Sequence, residues 1–263
     1  MNIINSVQNP LENLTIPSIP PVLVLYYTCI PSDVDAVNRR IKNYVSGNSD
    51  ITYNDSSFIS TDTHFANGSN KGSFSASTSI FASGVGGNTP QYAFTSSTRS
   101  VSVSHWIKAK SGVSRGFFPY DIGNGSGSGY GRSNAIIPIY DYDGGTGRLG
   151  YIQLYVNTVS VYLNIYPFNI NMFNWNHIVV VYENNKGAFC YVNGVLLVQS
   201  LQAINISPFT TNSITGSFIS GLPGSYSTRL PCYLNELRIY NSALTASQVS
   251  QLYNWDGIST LNL

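Results

Sequence analysis

Charge is what this sequence has least of. Lys, Arg, Asp and Glu together make up 10% of the 263 residues, well under the roughly 25% of ordinary soluble domains. The 13 basic and 12 acidic side chains cancel to a formal net charge of +1, which leaves no electrostatic footprint for nucleic acid or an acidic lipid surface. Neither is expected as a partner. Cysteine is scarce too: Cys29, Cys190 and Cys232 form no CxxC pair, so a zinc site has no support. An odd count with no secretory leader reads as reduced, buried thiols. Long apolar runs are missing as well. The most apolar early stretch, Val22 to Ile30, is far too short for a membrane span and reads as the first buried strand. The opening MNIINSVQNPLENLTIP lacks the basic region and apolar run of a signal peptide, so synthesis in the cytosol is expected.

What fills the space is Ser, Thr, Asn and Gly, with 19 Tyr and 12 Phe. Aromatic and β-branched residues at this level argue against disorder and favour strands, turns and neutral hydrogen-bonding surfaces. All-β sandwiches of this length fold as one unit with a sizeable core. Residues 1–21, ending in IPSIPP, carry Pro17, Pro20 and Pro21; proline blocks both helix and sheet ladders, so this segment is expected to be an extended arm before a domain over 22–263.

Beyond the arm the pattern is strand, turn, strand. VLVLYYTC is an almost continuous β-forming run. In SDVDAVNRRIKNYVSG, Val34, Val37, Ile41 and Val45 fall at helical spacing behind Ser32, which gives a short helix; the competing reading is a loop and a strand starting near Ile41. KGSFSAS and SVSVSHWIKAK alternate like half-buried strands, with Val101, Val103 and His105 on one face and Ser102, Ser104 and Trp106 on the other. YIQLYVN, VSVYLNIY and HIVVVYEN continue the theme. In GAFCYVNGVLLVQS the Asn193-Gly194 pair between two apolar runs is a hairpin signal. Near the C-terminus LTASQVSQLY reads as a helix, because Thr245 three residues ahead of Gln248 forms a capping box. Many short strands with one helix define an all-β sandwich.

Several of these segments carry a family resemblance. FNWNHIVVVYENNKGAFCYVNGVLLVQS resembles the laminin-G-like pattern, in which Trp and His open a strand that leads to a YVNG hairpin. LNELRIYNSALTASQVSQLY is similar to that family's closing strand and capped helix, and SVSVSHWIKAK to its strand ending in Trp, an aliphatic residue and Lys. IKNYVSGNSDITYNDSSFISTDTHFANGSNKGSFSAS resembles the early part of the domain, above all in versions from large DNA viruses. The order of these segments matches the laminin-G-like, concanavalin A-like class across residues 22–254. The resemblance implies a two-sheet antiparallel jelly-roll sandwich with a short C-terminal helix. It also implies a module that binds glycans or proteins, or builds a virion or cell surface. His177 then reads as a structural part of the family motif, and Trp106 and Trp175 as core.

A fold of this kind also hosts glycoside hydrolases, so activity must be argued from a site. Two carboxylates two residues apart on one strand share a face, and Asp33/Asp35 and Asp141/Asp143 have that spacing. The first pair lies in the helix-or-loop region, and the second enters a Gly-rich turn, where Asp favours local hydrogen bonding. With no GxSxG, P-loop or HExxH motif, no catalytic residue is assigned and the module is expected to be no enzyme. The Gly-rich loops from Gly123 to Gly150 are the expected ligand surface. Tyr130, Arg132, Tyr140, Asp141, Tyr142, Asp143 and Arg148 are its candidate residues, since sugars stack on aromatic rings while polar groups take their hydroxyls. No cofactor is expected; Asp141 and Asp143 mark where calcium would bind if one did.

Two roles follow. One is a structural component of a virus particle, located in the virion, partnered by other virion or surface proteins and self-associating through the arm. The other is a free, lectin-like glycan-binding protein. One internal test of topology accompanies them. If VLVLYYTC pairs antiparallel with LNELRIY, Cys29 and Cys232 become neighbours; a bond between them needs Cα atoms within ~7 Å.

Overall fold

The computed structural model describes residues 23–28, 34–43, 45, 50–53, 55–56, 59–65, 72–75, 82–85, 99–110, 120–124, 133–156, 159–202, 216–219 and 231–255. Its strands are β1 (Leu23–Tyr27), β2 (Val34–Asp35), β3 (Arg40–Ile41), β4 (Ile51–Tyr53), β5 (Ile59–Ser60), β6 (Ser73–Ser75), β7 (Ala82–Val85), β8 (Val101–Ala109) and β9 (Tyr120–Asn124). They continue with β10 (Ser133–Tyr142), β11 (Leu149–Val156), β12 (Val159–Asn164), β13 (Asn176–Glu183), β14 (Gly187–Val192), β15 (Val195–Ser200), β16 (Gly216–Ile219) and β17 (Cys232–Tyr240). One helix, α1 (Ala246–Asn254), follows.

Two antiparallel sheets form a jelly-roll sandwich. The first runs β15-β14-β13-β8-β17-β6-β5, with β1 also paired to β17; the second runs β12-β11-β10-β9-β16-β7-β4-β3-β2. Both contribute to one core, in which Val101, Val103, Ile107, Ile178 and Val180 of the first sheet meet Ile136, Tyr140, Ile152, Leu154 and Leu163 of the second. The alternation read from SVSVSHWIKAK is the physical cause: a strand's period of two sends Val101, Val103 and Ile107 inward together. His105 goes with them. It is fully buried, and its Nε2 lies 2.6 Å from the Tyr140 hydroxyl across the sandwich, which satisfies two polar groups that would otherwise be costly in the core.

The opposite face of the first sheet is covered by α1. Val249 and Leu252 of the helix pack on Val179, Val181, Tyr191 and Tyr240, with Leu244 completing the cluster. The helix begins where the sequence places it: the Thr245 hydroxyl accepts from the Gln248 amide at 3.2 Å, and the Gln248 side chain accepts from the Thr245 amide at 2.8 Å. The YVNG hairpin also forms, with Asn193 and Gly194 at φ 52° and 79°, the left-handed pair that a tight two-residue turn requires.

The structure decides two open readings. Residues 34–41 form a hairpin of β2 and β3 with Val34 opposite Ile41, so the strand near Ile41 prevails over the helix. The Asp35 carboxylate accepts from the Val37 and Asn38 amides at 3.1 and 3.0 Å, and that turn outcompetes the helical spacing of the valines. β1 does pair antiparallel with β17, Tyr27 lying opposite Leu237. Cys29 falls outside the described residues, while Cys190 and Cys232 are buried free thiols, each pushed up to about 12 by burial. The arm over residues 1–21 is likewise outside the described residues.

Trp106 and Trp175 are half-buried rather than core. Alternation turns Trp106 to the outer face of the first sheet, where His64 stacks on it at 3.9 Å and Tyr253 at 5.6 Å between ring centroids. The Trp175 indole N–H donates to Asp62 at 2.9 Å. Trp255, just past α1, closes the same face under the Arg238 guanidinium, 4.5 Å from its ring.

Candidate functional site

A cleft of about 750 Å³ opens at one end of the second sheet. One wall is the β10–β11 connection: Asp141, Tyr142, Asp143, Gly144, Gly145, Thr146, Arg148 and Gly150. The other comes from the segment after β12, with Tyr166, Asn169 and Asn171.

The first wall is shaped by Asp143. Its carboxylate accepts from the Gly145 amide at 3.0 Å and from the Thr146 hydroxyl at 2.7 Å, and its main chain exchanges bonds with Gly147 and Arg148 to close the hairpin. Asp is suited to this because its short side chain can bond its own backbone two residues on. Those bonds, the Thr146 hydroxyl first and the Gly145 amide next, hold the Asp143 carboxyl below its usual range. Gly147 has φ +74°, and a Cβ there would lie 2.7 Å from the Asn171 side-chain Oδ1 and from the Phe173 ring. Only glycine lets the two walls approach this closely.

Arg148 ties the walls together. Its guanidinium donates to the Tyr166 carbonyl at 2.7 Å and lies over the Tyr166 ring, 4.1 Å from its centroid. Tyr166 itself is 60% exposed, so one ring face is supported and the other is presented. The Asn164 side chain fixes the Tyr166 amide at 3.1 Å, and Asn171 caps Phe173 at 2.9 Å. Beside the cleft Tyr162, 64% exposed, leans on Tyr151 with centroids 5.9 Å apart.

The sequence-derived candidates divide under this geometry. Asp141, Asp143 and Arg148 do meet in the cleft. Tyr140 is corrected: it is 0% exposed and its side chain belongs to the core, whereas Tyr142, 2% exposed, packs in the core and still borders the cleft. Tyr140 bonds His105, and burial pushes the Tyr142 phenol up to about 12. The cause is the alternation itself, which sends residues 140 and 142 inward and Asp141 outward. Tyr130 and Arg132 lie outside the described residues. Sequence reading missed Thr146, Tyr166, Asn169 and Asn171. The signal was in YPFNINM, a Pro- and Asn-bearing connection between two strand patterns, the composition of a structured loop.

Calcium does not fit these residues well. It takes six to eight oxygens, whereas among the described residues no group of three or more His, Cys, Asp or Glu side chains gathers for a metal. Both Asp143 oxygens are already engaged in the turn. Asp143 is not poised as a general acid, which needs a raised pKa, because its carboxyl is shifted the other way. Glu236 is fully buried and bonded to Arg238, Glu183 pairs with Lys186, and Asp35 is spent on its turn. Among the described residues, no helix is long and apolar enough to cross a membrane.

The fold and cleft together define a jelly-roll β-sandwich with a ligand-sized opening at one sheet end. The family model described as the concanavalin A-like lectin/glucanases superfamily matches residues 81–250, and the chain belongs to that superfamily. A search of curated protein sequences finds no match. Among solved structures, domain 4 of the extracellular arabinanase AbnA from Geobacillus stearothermophilus, in complex with arabinotriose, is similar. It has 16% identity and a TM-score of 0.56, over 90% of this chain and 100% of that one. The botulinum neurotoxin serotype G binding domain is similar at 14% identity and TM-score 0.54, over 88% of this chain and 50% of that one. Trypanosoma rangeli sialidase is similar at 14% and 0.56, over 90% of this chain and 33% of that one. The chain thus spans half of the toxin domain and a third of the sialidase. At such identities the likeness is one of fold, and that fold is shared by glycosidases and by binding domains.

Proposed function

We propose that this chain is a non-catalytic glycan-binding module, and that the cleft between Asp141–Gly150 and Tyr166–Asn171 is its site. The observation that carries the reading is Tyr166: an exposed ring, braced from behind by Arg148, beside Asp141, Asn169 and Asn171. A sugar ring stacks on such a face while amide and carboxylate groups take its hydroxyls. Bracing lowers the ordering cost of binding. The related fold seen with arabinotriose supports the same reading.

The test is a glycan array followed by calorimetric titration of the best hit. Tyr166→Ala is expected to weaken binding at least tenfold, about 1.4 kcal/mol, with the melting temperature nearly unchanged because the ring is exposed. Unaltered affinity in Tyr166→Ala would remove the cleft from consideration.

A structural role in a virus particle is a second reading, and β15 favours it. Among the described residues this strand is an edge of the first sheet; it carries no charge and exposes Val195 and Leu196 at 60% and 43%. Free-standing proteins usually blunt such edges with charge or proline. Assembly with other virion proteins would cover it and place the protein in the virion. Mass spectrometry of purified particles and soluble lysate separates the cases: enrichment in particles is the expected result of assembly, and a purely soluble pool argues against it.

A further inference from the structure

We infer that the cleft selects uncharged, hydroxyl-rich oligosaccharides and discriminates against glycans ending in a carboxylate; this deepens the glycan-binding reading and rests on it. Among the described residues its charged lining is Asp141, Asp143 and Arg148, two carboxylates against one guanidinium. An acidic sugar needs the opposite balance, best met by a guanidinium presenting two N–H groups as a fork.

Arg148 is already engaged in the cleft wall. One terminal nitrogen is committed to the Tyr166 carbonyl at 2.7 Å, and the guanidinium plane is covered by the Tyr166 ring. Its Nε is buried within the wall without a hydrogen-bond partner among the described residues. The guanidinium therefore acts as a brace, with its charge turned to the cleft's own structure. Asp143, in contrast, is exposed at the mouth. The Thr146 hydroxyl and Gly145 amide keep its carboxyl below the usual range, so it stays negative throughout the neutral and mildly acidic range and repels an incoming carboxylate.

The remaining polar groups are neutral. Asn169 stands in a left-handed conformation at φ 50°, which turns the chain at the cleft wall. Asn171 commits its carbonyl oxygen to the Phe173 amide, and a side-chain amide so held still has N–H donors for a hydroxyl oxygen. Asp141, outward between the inward Tyr140 and Tyr142, supplies acceptors for hydroxyl protons. Paired donors and acceptors without net positive charge match vicinal hydroxyls. The volume of about 750 Å³ lies within the ~300–1,000 Å³ range of pockets for drug-sized ligands, so it suits a short oligosaccharide better than one ring.

The test uses the full chain on an array of matched oligosaccharides: neutral, sialylated and uronate-terminated versions of the same backbones, at physiological salt. Neutral members are expected to bind, each at least tenfold more tightly than its acidic counterpart. Asp143→Asn keeps the oxygen that accepts from Gly145 while removing the charge, and is expected to narrow that ratio severalfold. Equal or preferential binding of the acidic members overturns this inference and leaves the glycan reading standing. An unchanged ratio in Asp143→Asn, with neutral binding intact, also overturns it. Binding to no member of any set overturns both.

Discussion

Arg238→Met is expected to destabilise the domain by about 3–5 kcal/mol, the cost of leaving a buried charge without its partner. Arg238 is 2% exposed and Glu236 is fully buried, and the guanidinium donates to the Glu236 carboxylate at 2.6 Å and to the Tyr26 hydroxyl at 2.8 Å. The Tyr26 hydroxyl also bonds Glu236. Arg238 further lies over the rings of Tyr26 and Trp255, at 4.2 and 4.5 Å, so it joins the first strand, the last strand and the chain beyond α1. Glu236 sits in a β-bulge between Asn235 and Arg238 with φ 54°, a conformation that costs energy in a non-glycine residue. The bulge turns Glu236 toward Tyr26 at that expense. Removal of Arg238 takes away the guanidinium that is paired with this buried carboxylate at 2.6 Å. For a chain near this size, ~2–4 °C is lost per kcal/mol, so the melting temperature should fall by roughly 10 °C. The double variant Glu236→Leu/Arg238→Met should recover much of the loss, since apolar replacements of buried pairs are often neutral. A fall of under about 1 kcal/mol in the single variant would show the pair to be solvated.

The second large effect is acid sensitivity above the range in which carboxylates titrate. Burial lowers the His105 pKa to about 3. His177 is also held well below its usual value, by burial first and then by repulsion from Arg238, His105 and His64. His105 faces the Tyr140 hydroxyl, and His177 faces the Ser104 hydroxyl, Trp106 and Tyr253. Both rings are neutral in the folded state at neutral pH. The unfolded chain takes up their protons below about pH 6.5, while the folded chain resists until far lower. Stability is therefore complete above about pH 6.5 and is lost progressively as pH falls toward the folded value of about 3. By pH ~4.5 His105 alone should cost about 3 kcal/mol, two pH units at 1.36 kcal/mol each. The lowered carboxyls of Asp35, Asp62 and Asp143 start from an ordinary value of 3.8, so most of their contribution is lost below pH ~4.5. Urea unfolding at pH 7 and pH 4.5 measures the difference, and His105→Gln should flatten the slope. An unchanged slope in that variant would mean that His105 titrates freely in the folded protein.

Much of the architecture follows from local rules. Alternation in SVSVSHWIKAK, the Asn193-Gly194 turn and the Thr245–Gln248 capping box each depend on neighbours within a few residues, and each forms as the sequence predicts. The antiparallel pairing of β1 with β17 stood in the sequence only as one condition among others, and strand register settles it. Part of the cleft was legible by the same local rules: an Asp in a Gly-rich turn bonds its own backbone, and Asp143 does so.

The sequence by itself determined the fold class, the strand runs and the location of one cleft wall. Tertiary structure decided which face of each strand became core and what completed the site. A period of two says that Tyr140 and Tyr142 share a face, and that Asp141 has the other. It does not say which face meets the second sheet, so the tyrosines could pass for ligand-binding residues until packing placed them inside. Likewise, Tyr166, Asn169 and Asn171 join Asp141 and Arg148 only because β10, β11 and β12 pair in register and return the chain to the same end of the sheet. Tyr26, Glu236 and Arg238 meet across 210 and 212 residues of sequence. Local preference acts over a few residues, whereas these contacts depend on strand register and sheet order, which only the burial of the whole core selects.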